Sequence, residues 1–150
     1  REDLNGNDVG RKLLILAREL DLQNEFAEVN IENLVPQHLR EYAIPQFLSN
    51  LKEFDGQYAA LKASLKPDEV LRYVGDLHGD LQQDKGVLDV KLMVVPKNSS
   101  LGQVTGADSI FEIYTESYGD RPIVIQGAGA GAAVTARGVF GDILKLTERT

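Results

Sequence analysis

A chain of 150 residues that is 43% hydrophobic and 26% charged has the composition of a single globular domain able to bury a core. Its net charge of −7 speaks against nucleic-acid binding, which needs basic patches to displace phosphate counterions. No apolar run reaches the ~18 residues of a membrane span, the N-terminus lacks a signal-peptide pattern, and the absence of cysteine removes disulfides and thiolate chemistry.

Asn7 or Asp8 can cap a helix running to about Leu20, with Val9, Leu13, Leu16, Ala17 and Leu20 on its apolar side. Leu14 and Ile15 broaden that stripe, which predicts a largely enclosed helix. Loose alternation of apolar residues from Phe26 to Val35 predicts a strand ended by Pro36. Two helices follow, at about Pro45–Phe54 and Gly56–Lys66, with Phe47, Leu48, Leu51, Tyr58, Leu61 and Leu65 facing inward. Val70–Leu77 and Val87–Val95 read as strands around the polar turn His78–Gly86. Ser109–Tyr118 alternates as a half-buried strand, Ile123–Gln126 is a short apolar strand, and a glycine-rich turn leads to a last helix over about Ala133–Leu146. Helices first and strands later, with short connections, predict an α+β fold: a mostly antiparallel sheet covered by helices.

Two segments carry groups suited to chemistry. Asp8 and Lys12 stand four apart and share a helix face, with Asp3 in the turn before them. A carboxylate that holds a substrate beside an ammonium that transfers a proton is one reading of that spacing. A surface ion pair worth a few tenths of a kcal/mol is the commoner one. The other segment, Ile123 to Ala136, joins a strand, the turn Gly127-Ala128-Gly129-Ala130-Gly131 and a helix N-terminus. Free N–H groups and the helix dipole make such a turn an anion site, although tight helix–strand packing explains the glycines equally well. A complete dinucleotide-binding unit does not fit between this turn and Thr150. His38 and His78 have no partner spacing for a metal site, and Asp76, Asp80 and Asp84 lack the order of a calcium loop, so no metal site is predicted. Tyr73, Phe111 and Tyr114 occupy strand positions and are expected in the core.

Together these motifs resemble homoserine dehydrogenase. Asp3-Leu4-Asn5-Gly6-Asn7-Asp8-Val9-Gly10-Arg11-Lys12 and the apolar helix after it are similar to that family's signature. Leu71-Arg72-Tyr73-Val74-Gly75, Gly106-Ala107-Asp108-Ser109-Ile110 and the segment from Gly127 through Val134-Thr135-Ala136 to Asp142 follow in the family's order. The resemblance implies that Lys12 is the acid/base, that Asp3 and Asp8 hold the amino-acid substrate, and that Gly129 and Gly131 lie against an NADP or NAD cofactor. It also implies interconversion of L-aspartate 4-semialdehyde and L-homoserine on the route to threonine and methionine, by a cytoplasmic homodimer. On this reading residues 1–150 are a single catalytic and dimerisation domain. The Rossmann domain, which holds most of the cofactor, lies upstream and is absent, and an aspartokinase is a further possible fusion. The fragment alone is expected to be inactive. Gly10, where the family usually has alanine, and Arg137, where it usually has a small residue, depart from the pattern. A regulatory amino-acid-binding domain or an interaction module without catalysis is the alternative.

Overall fold

The computed structural model describes residues 1–148. The chain forms two compact units, Arg1–Val95 and Pro96–Thr150. The fold is α+β, with two small sheets accompanied by short helices.

In the first unit the chain enters through a 3-10 turn, Glu2–Leu4, and reaches helix α1, Asn7–Glu19. Gly6 precedes the helix with φ of 81°, a left-handed conformation that glycine adopts without a Cβ penalty. The Asn5 side chain accepts from the Asn7 amide at 2.9 Å, which satisfies one of the free donors at the helix start. The helix ends at Leu20, and Asp21 turns the chain with φ of 62°. Gly10, Leu13, Leu14 and Ala17 are buried, while Ile15, Leu16 and Leu20 are exposed. The sequence stripe is therefore wider than the face that packs, because the small sheet beneath the helix covers one side of it only.

The expected strand from Phe26 to Val35 is mostly something else. Glu25 and Glu28 form a reciprocal capping box around a 3-10 turn, Phe26–Glu28. Only Asn30–Ile31 remains as a strand, β1, paired in parallel with Asp89 and Val90. Helix α2 spans Ile44–Ser49; a 3-10 turn, Leu51–Phe54, leads to α3, Asp55–Ser64. Val35, Leu39, Phe47 and Phe54 form a small core here, with Phe47 edge-on to Phe54 at 5.8 Å and Tyr58 stacked on Phe54 at 6.2 Å. Leu48 and Leu51, expected inside, are exposed.

Strands β2, Glu69–Asp80, and β3, Lys85–Pro96, make a long hairpin that absorbs residues 78–80 and 85–86 of the expected turn. The sheet order is β1-β3-β2. Four residues connect β2 to β3, too few for a parallel crossover. Leu88 and Val90 meet Leu13, Leu14, Ala17, Leu22 and Val29 in the main core, with Tyr73 and Leu77 alongside. Gly75 lets α1 lie close on β2: a Cβ there would stand 3.3 Å from Val9 Cγ1 and 3.4 Å from Leu13 Cδ1.

The second unit contains α4 (Ser100–Gln103), β4 (Asp108–Ile113), β5 (Ile123–Ala128) and α5 (Ala132–Glu148). The two strands pair antiparallel, Ser109 opposite Gly127 and Ile113 opposite Ile123. The strand expected to reach Tyr118 stops at Ile113. Beyond it the amides of Tyr118 and Gly119 both turn back to the Thr115 carbonyl, and Gly119 has φ of 57°. Phe111 and Tyr114 are accordingly exposed, not core, whereas Tyr73 is half-buried.

Candidate active site

The opening motif is built around two buried glycines. A Cβ at Gly6 would overlap the Tyr73 hydroxyl and crowd Ile31 Cγ2, so the turn between Asp3 and Asp8 lies directly on β2 and β1. At Gly10 a Cβ would stand 3.0 Å from Ile31 Cδ1 and 3.2 Å from Phe26 Cε2. The glycine at this position thus meets a close approach of α1 to the segment that follows it. The Leu34 amide donates to the Leu4 carbonyl at 3.0 Å, tying the entering turn to the same segment.

On this seat Lys12 Nζ reaches Asp8 Oδ2 at 2.8 Å, with 72% and 67% of the two side chains exposed. A pair that open to water adds little to stability. The ammonium has three donors, of which Asp8 takes one, leaving two for an incoming oxygen. Its neighbour Arg11 instead lies 5.9 Å over the Phe26 ring. Asp3 stands in the 3-10 turn, exposed and without a hydrogen-bond or ion-pair partner among the described residues. The structure therefore joins Asp8 to Lys12 and places Asp3 on the turn that leads into their helix.

Gly129 and Gly131 belong to the second unit, and they differ. A Cβ at Gly129 would overlap the Ser109 side chain, and the Gly129 amide donates to the Ala107 carbonyl at 3.1 Å, so this glycine has a packing reason. Gly131 has φ of 122° and open space where a Cβ would stand. Its carbonyl accepts from both the amide and the hydroxyl of Thr135, at 3.1 and 3.2 Å, fixing the first turn of α5.

A third group was not visible from sequence spacing. Asp76, His78 and Asp89, of metal-ligand type, lie within 4.8 Å of one another on the hairpin. Lys91 Nζ already bonds Asp76 Oδ2 at 2.9 Å and Asp89 Oδ2 at 3.3 Å, so a cation is in place. Hydrogen bonding from Asn30, with the Lys91 ammonium beside it, holds the Asp89 carboxyl below its ordinary range. Asp76, and Asp89 after it, raise Lys91 above the usual lysine value. His78 is thus not solitary: its ring nitrogens face Asp76 at 3.6 Å and Asp89 at 4.0 Å. The spacing of two in Asp76/His78 and in Asp89/Lys91 was the available signal, but only the register of β2 against β3 brings the pairs together.

The family model for homoserine dehydrogenase matches residues 1–144. The chain belongs to the homoserine dehydrogenase family. A homoserine dehydrogenase of Emericella nidulans is 43% identical over 157 residues, covering 99% of this chain and 41% of the relative. A chloroplastic bifunctional aspartokinase/homoserine dehydrogenase of Arabidopsis thaliana is 40% identical, with 97% of this chain and 16% of the relative covered. Among solved structures, a Candida auris protein described as of unknown function superposes with a TM-score of 0.79 at 37% identity, over 99% of this chain and 41% of that one. The chain therefore spans about two-fifths of the homoserine dehydrogenases it matches and about one-sixth of the bifunctional ones. No helix among the described residues is long and apolar enough to cross a membrane.

Proposed function

We propose that this chain is the catalytic and dimer-forming portion of a homoserine dehydrogenase that interconverts L-homoserine and L-aspartate 4-semialdehyde. The observation that carries the reading is the Asp8–Lys12 pair, exposed on a helix whose first turn is clamped by Gly6 and Gly10. An ion pair so exposed contributes little to folding, so its fixed placement serves a ligand better than it serves stability. Lys12 gives a proton to the aldehyde oxygen in the reducing direction and takes it back from the alcohol in the other. Asp8 holds the lysine head group in place, and with Asp3 it offers carboxylate acceptors to the substrate's own ammonium. A nicotinamide cofactor, NADP or NAD, would supply and accept the hydride. Gly131 fits its ring by having no side chain and, among the described residues, no neighbour where a Cβ would stand. The remaining cofactor contacts are assigned to the parts of the relatives that this chain does not match, so turnover is expected of a longer protein and not of residues 1–150 alone.

The exposed apolar residues Phe111, Ile113, Ile123 and Ile125 on β4 and β5 support a homodimer that pairs through this sheet. The absence of cysteine suits a reducing compartment such as the cytoplasm; the plant relatives are named as chloroplastic.

The test is homoserine-dependent reduction of NADP and of NAD by the full-length protein, native and Lys12→Ala. The expected loss is about 10²–10⁴-fold in kcat with cofactor binding retained. Unchanged turnover would remove Lys12 from the mechanism, and no activity in the native protein would overturn the reading itself.

A further inference from the structure

We propose that Tyr73 is a positioning residue for the substrate-holding carboxylates: its hydroxyl, packed against Gly6 and bonded to the Glu32 carbonyl, sets the turn that carries Asp3 against the start of α1, where Asp8 stands. The inference rests on the dehydrogenase reading above for its kinetic arm, and on geometry alone for its structural arm.

The segment from Glu32 to Leu34 is held from several sides. Tyr73 Oη donates to the Glu32 carbonyl at 2.6 Å, and Tyr58 Oη donates to the Leu34 carbonyl at 3.2 Å. The Glu32 amide donates to the Val90 carbonyl at 2.8 Å, and the Glu32 carboxylate accepts from the Leu92 amide at 2.8 Å. The segment in turn holds the substrate turn, through Leu34 N–H to the Leu4 carbonyl at 3.0 Å. Tyr73 acts on that turn a second time, directly: its hydroxyl occupies the space a Cβ would need at Gly6. Asp3 lies three residues before Gly6 and Asp8 two after it, and Gly10 N–H closes the first helical turn on the Gly6 carbonyl at 2.9 Å. A displacement of Gly6 therefore moves Asp3, on the entering turn, relative to Asp8 in the first turn of α1. Burial pushes the Tyr73 hydroxyl above the ordinary tyrosine value, with the Glu32 carboxylate adding to the shift, so it remains a donor throughout the working range. Tyr58 bonds the same segment but is not among the atoms nearest to the missing Cβ of Gly6, which makes it the natural control.

The experiment compares native protein, Tyr73→Phe and Tyr58→Phe. Phenylalanine keeps the ring and removes only the hydroxyl. In the full-length protein, Tyr73→Phe is expected to raise KM for homoserine roughly tenfold, with kcat within about threefold and KM for the cofactor unchanged. Tyr58→Phe is expected to raise KM for homoserine by less than half as much on a logarithmic scale. A Tyr73→Phe protein that loses active fraction while keeping its native KM for homoserine would show a merely structural role and overturn the proposal. If the native protein reduces neither NADP nor NAD with homoserine, the dehydrogenase reading fails on its own. Hydrogen exchange then decides the positioning: peptides covering residues 4–10 must exchange faster in Tyr73→Phe than in native protein and in Tyr58→Phe, and equal exchange would overturn it.

Discussion

Gly6 and Gly10 are both buried in the opening motif, yet the physics separates them. Gly6 has φ of 81°, where an L side chain costs about 1–2 kcal/mol before any contact is counted. Its missing Cβ faces the Tyr73 hydroxyl and Ile31, so alanine would be strained in backbone and packing at once. Gly6→Ala is expected to destabilise the chain by at least about 2 kcal/mol in urea unfolding. Gly10 has ordinary helical geometry, and its neighbours at 3.0 and 3.2 Å are the ends of the Ile31 and Phe26 side chains. Alanine there gains about 1 kcal/mol of helix propensity and loses a similar amount to crowding. Gly10→Ala should therefore fall within about 1 kcal/mol of neutral. Should the order of the two effects be reversed, the clamp described at Gly6 is wrong.

The β2–β3 hairpin presents a different chemistry on each face. Leu88, 1% exposed, belongs to the core against α1, and Leu88→Ala should cost about 2–5 kcal/mol, read as a lower urea midpoint at unchanged slope. On the other side lie Asp76, His78, Asp89 and Lys91, and the shifted ionisation of Asp89 and Lys91 ties stability to pH. Asp89 is lowered from 3.8, so its contribution is complete above that value and is lost as pH falls through its folded value. Lys91 is raised from 10.5, so its contribution is complete below that value and is lost as pH rises through its folded value. Lys91→Met should lower the thermal midpoint at pH 7, and the deficit should shrink as the pH falls through the lowered folded value of Asp89 and its carboxyl protonates; a deficit constant down to pH 2 would count against the ion pairs. Both strands were legible in the sequence on either side of a polar turn, and the i, i+4 spacing made Asp8 and Lys12 legible as neighbours. The charged cluster was not legible, because Asp76 and Asp89 meet only through strand register, nor was Tyr73, whose role depends on which turn crosses it. The strand expected over residues 26–35 failed for a local reason: the Glu25–Glu28 capping box closes a turn where the apolar pattern suggested extension.

Across the molecule, burial is unevenly shared. Every buried apolar side chain among the described residues lies between Leu13 and Val95, in the first unit. Within residues 96–148 none is buried, and Val139, Phe140, Ile143 and Leu146 stand exposed along α5. The free energy of local opening follows how much apolar surface an element keeps from water. In hydrogen-exchange mass spectrometry of the isolated chain, amides of β4, β5 and α5 should therefore exchange at least about tenfold faster than those of β2 and β3. The comparison is stringent because both units are hydrogen-bonded hairpins at their centre, so backbone pairing alone predicts equal protection. Dilution adds a second reading. If a second copy covers the β4–β5 sheet, as the homodimer proposed above requires, protection of Asp108–Ile113 and Ile123–Ala128 must rise with protein concentration while that of β2 and β3 stays constant. Protection that is equal in the two units at every concentration would mean that the burial seen in the first unit does not govern local stability.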